Sequence, residues 1–343
     1  ADSQDMPAPA AWACHPEWDA PPQTPRPLAW LRSVRTPFTI ALSQHRSPTG
    51  CWIRVVALAV WSRSHAMVIT LLYTLSGGML SVLATGRTDQ ISWRFLRLVG
   101  MIVLIVMTGA TAWTMSRDNP SPETTWPATV WLGGAVALGA MLVVFLAPWA
   151  DRAAALFRTV CGVAGLSGLA AAALSAVGAM GPAVHTTAPL ASPPDTLAAV
   201  LVAAAQVLGG LLLGAITVSW LLGHAYLTAT KMTLAPMRHF TRLLSWSVAI
   251  RCGFLVCSLL IAWIAGGERE GSVLLHLKQA WLIVILRVGV GLIGVGVFAY
   301  MVADCVRLRS TQSATGILYF GSLFAYIGEM ASRQLVAECG WPL

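Results

Sequence analysis

Long apolar runs alternate with short polar connectors along most of this chain. The runs cover approximately 66–86, 96–115, 128–149, 156–180, 196–222, 243–265, 279–304 and 313–336. A helix needs roughly 20 apolar residues to cross a hydrocarbon layer, and each run is of that order. None shows the period-2 alternation, about ten residues long, that marks a membrane barrel strand. Inside lipid the backbone must satisfy its own hydrogen bonds, which makes each run a helix. The pattern therefore predicts an all-α integral membrane protein: a bundle of about eight transmembrane helices over 66–337, with an irregular N-terminal arm.

The first 65 residues are patterned differently. The stretch 7-PAPAAWACHPEWDAPPQTPRP-27 is rich in proline and alanine and has neither helical nor strand period, so residues 1–50 read as an extended arm. Its tryptophans, Trp12, Trp18 and Trp30, suit either a partner-binding strap or an interfacial tail. Residues 51–65 contain 51-CWIRVVALAVW-61, where Arg54 leaves too few apolar positions for a crossing. That segment reads as an interfacial amphipathic helix anchored by Trp52 and Trp61. No secretory signal pattern is visible, and residues 338–343 form a tail.

Composition agrees with the pattern. Hydrophobic residues make up 57% of the 343 and charged residues only 10%, against about 25% charged in an ordinary soluble domain. Net charge is +8, and its distribution matters more than its size. Connectors after the odd-numbered runs hold ten Lys or Arg, and those after the even-numbered runs hold three. By the positive-inside rule the odd-numbered connectors are cytoplasmic and both termini lie on the opposite side. This is the layout expected of a protein in a bacterial-type inner (plasma) membrane. The arginines of residues 1–65 pull against that orientation, although long segments translocate with less regard to charge.

The connector 223-GHAYLTATKMTLAPMRHFTRL-243 holds two histidines, one lysine and two arginines, without an acid. It reads as a basic interfacial hairpin touching anionic membrane lipid, where each such charge is worth about 1 kcal/mol. The seven cysteines include no CxxC or CxxCH, which removes covalent haem attachment and the usual zinc and iron–sulfur spacings. Cys14, Cys51 and Cys339 would share the non-cytoplasmic side, where a disulfide can form. No two histidines share a run at the spacing of axial haem ligands. Nucleotide loops, nucleophile elbows and nucleic-acid-binding patterns are also absent.

Ionisable residues inside a membrane span are costly and mark function by default. Glu329 and Arg333 lie four apart in the last run, 317-ILYFGSLFAYIGEMASRQL-335, hence on one helix face. Arg251, Arg287 and Gln206 each need a partner that the local sequence does not supply. Small residues such as Gly162, Gly165 and Gly168 suit close helix packing.

The 328-GEMASR-333 element in the final helix, together with eight helices and both termini outside, resembles the polytopic quinol-interacting membrane anchor subunits of the NrfD/DmsC type. In that family a Gly-Glu-x-x-x-Arg element sits in the last helix, and Gly328, Glu329 and Arg333 match its spacing. The resemblance implies a haem-free subunit of a multi-protein electron-transfer complex in a respiratory chain. It would contact membrane quinone and anchor redox partner subunits, with no covalently bound cofactor and no nucleic acid. Glu329 and Arg333 would then be the catalytic pair, with His65, His276 and Tyr326 as quinone-binding residues. Two other classes stay open: a non-catalytic scaffold subunit of a large assembly and, behind it, a small-solute transporter.

Overall fold

The computed structural model describes the backbone of residues 48–117, 128–179, 195–228, 233–266 and 277–343. It divides into two units, 1–59 and 60–343. In the first, residues 48–59 are helical. The arm of residues 1–47 lies outside the described residues, as does His276.

Among the described residues the structure is helical and holds no strand. Eight long helices follow one another: α1 Pro48–Ala84, α2 Trp93–Arg117, α3 Ala128–Leu146, α4 Ala154–Ala179, α5 Asp195–Thr228, α6 Ala235–Gly266, α7 Trp281–Arg307 and α8 Thr311–Cys339. Seven of them contain stretches long and apolar enough to cross a membrane, beginning with His65–Ala84 and ending with Trp281–Arg307. Large apolar side chains stand exposed around them, among them Ile105, Trp131, Phe145, Leu166, Trp263 and Ile264. An exposed apolar surface of that extent belongs against lipid or another protein. The eighth helix, α8, forms as expected but is too polar to join the seven. Its polarity points inward, with Glu329, Ser332 and Arg333 all buried.

Glycine sets how closely these helices pack. A Cβ at Gly78 of α1 would stand 1.8 Å from the carbonyl oxygen of Gly210 in α5, and one at Gly77 would stand 2.6 Å from the Leu169 nitrogen of α4. The backbones of α1, α4 and α5 thus touch directly, which only residues without a side chain permit. Around this crossing lies an apolar core containing Leu80, Val99, Val136, Phe157, Leu212 and Leu318.

Two local features depart from the pattern read in the sequence. The basic connector is much shorter than a 223–243 hairpin: α5 runs to Thr228 and α6 starts at Ala235. Pro236 sits in the first turn of α6, where proline's missing N–H costs nothing. The Tyr226 hydroxyl donates to the Thr233 carbonyl and ties the two helix ends. The second feature is in α7, whose residues Leu286–Gly294 wind as a π-helix. Wide turns of this kind are rare and are frequently found at functional sites.

Candidate functional site

Glu329 lies at the centre of the α5–α8 half of the bundle, 2% exposed. Three arginines from three helices converge on it. Arg251 of α6 donates through Nε to Oε1 at 3.3 Å and through Nη2 to Oε2 at 3.2 Å, a two-pronged pair. Arg287, on the π-helical segment of α7, donates through Nη1 to Oε1 at 2.8 Å. Arg333, one turn along α8, donates to the Glu329 backbone carbonyl at 3.0 Å and holds Oε2 at 3.9 Å. Arg251, Arg287 and Arg333 are 1%, 0% and 5% exposed. Among the described residues, every ion pair these three make goes to the one carboxylate. Among the described residues three arginine side chains face one carboxylate side chain, an excess of two positive side-chain charges.

Helix geometry explains how the site is assembled. Gly209 of α5 faces the carboxylate, and a Cβ there would lie 2.3 Å from Oε2. Alanine at 209 would occupy the space the carboxylate uses. On the other side, Gly291 of α7 and Gly328 of α8 are in backbone contact: a Cβ on Gly328 would meet the Gly291 Cα at 2.2 Å. Gly291 belongs to the π-helical segment, as does Arg287. Arg287 and Gly291, four residues apart, both meet α8, one through Glu329 and the other through Gly328.

Further hydrogen bonds fix the arginines. Arg333 Nη2 donates to Thr74 Oγ1 of α1 at 2.7 Å, and that hydroxyl donates in turn to the Thr70 carbonyl. Arg287 Nε donates to the Leu343 carbonyl at 3.0 Å, and Ser332 donates to the same oxygen. Residues 340–343 reach this point because Gly340 adopts φ 65° at the end of α8 and reverses the chain. Its left-handed conformation suits glycine. Trp341 then inserts, 1% exposed, with its indole N–H donating to the Ser258 carbonyl of α6. The stretch expected to be a tail is part of the core.

Not every polar atom here is satisfied. Arg251 Nη1, Arg287 Nη2 and Arg333 Nε have no hydrogen-bond partner among the described residues, and neither does Gln206 Oε1. Gln206, 5% exposed, lies one turn before Gly209 on α5. Buried groups of this kind normally find partners, and each left unmade costs about 1–3 kcal/mol. Three donors and an acceptor without partners describe a site that a polar ligand or ordered water would complete.

The residues expected from the sequence are only partly gathered. Glu329 and Arg333 stand together as expected. Tyr326 lies one turn before Glu329, and its hydroxyl is bonded to Thr217 of α5 at 2.9 Å. His65 packs its ring on Trp113, centroids 5.6 Å apart. It precedes Thr74 by nine residues, which places it about 13 Å along α1 from the Arg333 contact. Arg251 and Arg287, isolated in sequence, turn out to be the cross-helix partners of Glu329. Their cue was an arginine in the middle of an apolar run with no acid within a turn. Thr74, Gly209 and the 341–343 segment gave no cue, because a threonine, a glycine or a terminal tryptophan is ordinary in such a chain.

Cys339, past the end of the expected eighth span, is a free thiol. Burial, reinforced by the Glu338 carboxylate, pushes it up to about 11, which makes it a poor nucleophile at neutral pH. Cys14 lies outside the described residues, and nothing is described of the Cys51 side chain. Among the described residues, no group of three His, Cys, Asp or Glu could hold a metal ion.

Fold and site together define an all-helical, apolar-surfaced protein, compatible with several passes through a membrane, built around a buried Glu–Arg cluster. No family model, curated protein or solved structure matches this chain.

Proposed function

We propose that this chain is a multi-pass membrane subunit of an electron-transfer complex, and that its Glu329 cluster receives the headgroup of a membrane quinone. On this reading all eight helices cross the membrane, and α8 does so shielded by its neighbours. The observation that carries the proposal is the set of three unpartnered guanidinium N–H groups around a buried carboxylate. Quinone carbonyls accept hydrogen bonds, and reduction builds negative charge on those oxygens. A cluster with two excess positive charges favours such oxygens, and favours the reduced, more anionic forms most. Gln206 Oε1 offers an acceptor for a quinol hydroxyl one turn from Gly209.

In this role Glu329 acts first as the counter-charge that allows three arginines to be buried together, and Arg251 and Arg287 join Arg333 as headgroup donors. Tyr326, tied to Thr217, lines the approach along α5 and α8. His65 would serve at the end of the bundle rather than at the carboxylate, and His276 keeps the quinone-binding role that the resemblance implies. The chain brings no redox centre of its own in this reading, so electrons pass to a partner subunit. The resemblance of 328-GEMASR-333 to the NrfD/DmsC-type anchors supports the same reading, with an inner (plasma) membrane location and odd-numbered connectors on the cytoplasmic side.

The depth of the cluster favours a second reading. A carboxylate 2% exposed among fully buried arginines also suits a scaffold whose charges fix the mutual register of α5, α6, α7 and α8. Purification from the native membrane in mild detergent separates the two. Stoichiometric quinone with an iron–sulfur or cytochrome partner is the expected result. Partners without redox centres, and no quinone above the lipid background, would leave the scaffold. A chain isolated with neither would point to transport.

A further inference from the structure

A second arginine group lies where α6 begins and α7 ends, and the quinone reading makes no use of it. Arg238, Thr241, Arg242 and Ser245 form one wall of a groove of about 260 Å³, and Ala303, Val306 and Arg307 form the other. Arg238, Arg242 and Ser245 repeat at four and three residues, so they share one face of α6. We propose that this groove is a phosphate-binding site, filled by the headgroup of an anionic phospholipid.

The chemistry of the lining selects the ligand. Arginine forks match phosphate oxygens in pairs and keep their charge at any physiological pH. Arg307 is already paired with Asp304 at 2.8 Å. Among the described residues, Arg238 and Arg242 have no ion pair of their own. Thr241, between them, is 3% exposed, and its hydroxyl has no partner among the described residues. Its carbonyl does have one, the Ser245 hydroxyl at 3.1 Å. A buried hydroxyl without a partner among the described residues, on a residue that lines a basic groove, is a donor short of an acceptor. His239, on another face of α6, is engaged with Thr85 at 3.2 Å and takes no part. The volume equals that of about eight or nine water molecules, room for a phosphodiester with part of its glycerol.

The surroundings favour a lipid over free phosphate. Trp246 is 66% exposed, Tyr300 75% and Leu308 69%, and each lies within about a turn of a groove residue. A headgroup in the groove would have its acyl chains beside these apolar side chains. Free phosphate would leave them bare.

The test uses the full chain, purified in mild detergent and exchanged into phosphatidylglycerol, phosphatidylcholine or an equal mixture. Native mass spectrometry then counts the lipids that stay bound. Wild type should retain one phosphatidylglycerol in preference to phosphatidylcholine by roughly tenfold. Arg238→Ala with Arg242→Ala should bring the two lipids to parity. Thr241→Val, which keeps both charges, should lower the preference severalfold. Arg152→Ala with Arg158→Ala removes two exposed arginines, one from the α3–α4 turn and one from the start of α4, and should change nothing, which separates a site from general surface charge. If instead millimolar inorganic phosphate stabilises wild type but not the Arg238/Arg242 double variant, and lipid preference is absent, the site serves soluble phosphate. Equal phosphatidylglycerol retention by wild type and the double variant, with no phosphate effect, overturns the proposal.

Discussion

The bundle contains two arginine triads built in opposite ways. Arg251, Arg287 and Arg333 come from three helices, are almost wholly buried and close on a carboxylate. Arg238, Arg242 and Arg307 come from two helix ends, are exposed and border an open groove with an acid at one edge. Water screens charges at an exposed site, so each exposed arginine contributes little to stability and much to what approaches it. In the interior the same residue costs several kcal/mol to desolvate and is tolerated only with an anion and hydrogen bonds in place. The buried triad is therefore bound into how the fold holds together, whatever it donates to a headgroup, whereas the exposed triad is free of that structural task.

The largest effect should come from removing the carboxylate. Glu329→Gln leaves three buried cations without their common anion, and breaking a buried pair in this manner costs about 3–5 kcal/mol. Unfolding in graded denaturing detergent should show that loss. If Glu329→Gln is as stable as wild type, the cluster is hydrated, and the contrast between the triads disappears. Gly209→Ala comes next. The added methyl would lie 2.3 Å from Oε2, and overpacking of this kind costs about 1–3 kcal/mol. Its loss should shrink in the Glu329→Gln background, because the methyl and the carboxylate oxygen compete for one place.

Arg251→Met should cost less than removing the carboxylate. Glu329 keeps Arg287 at 2.8 Å and Arg333 on its own helix, and the excess of positive charge falls from two to one. Arg251 gives up two hydrogen bonds to the carboxylate, each worth roughly 1.5–3 kcal/mol, and relief of repulsion among the arginines offsets part of that loss. The same unfolding measurement should rank Arg251→Met well below Glu329→Gln. The reverse order would mean that Arg251, rather than Glu329, is the member the others depend on.

What could be read from the sequence follows from these physical differences. Apolar runs set by lipid thickness are a local property, so the helices appear at nearly their expected places. The sixth begins earlier, since Pro236 opens a helix as well as it ends one. The pairing of Glu329 with Arg333 was legible because four residues on a helix is a fixed distance. Arg251 and Arg287 could be recognised as costly, but which acid they meet depends on helix packing 78 and 42 residues away in sequence. The π-helical turns of α7 and the inward fold of Trp341 carry no local signature. Thr241 carried no cue either: it is an ordinary threonine until packing buries its hydroxyl without a partner among the described residues.

The smallest effect is expected at the exposed triad, and it is the most discriminating. Arg242→Ala removes an exposed side chain for which no ion pair is described, and changes of that sort usually fall within about 0.5 kcal/mol. Stability in a neutral detergent should therefore match wild type. The variant should differ only when anionic lipid is present, because a ligand stabilises the folded chain in proportion to its occupancy. A stability difference that appears with phosphatidylglycerol, and vanishes in phosphatidylcholine, assigns Arg242 to binding. A loss of equal size in every lipid would instead make the exposed arginines part of the fold, as the buried ones are, and the two triads would differ only in how much water reaches them.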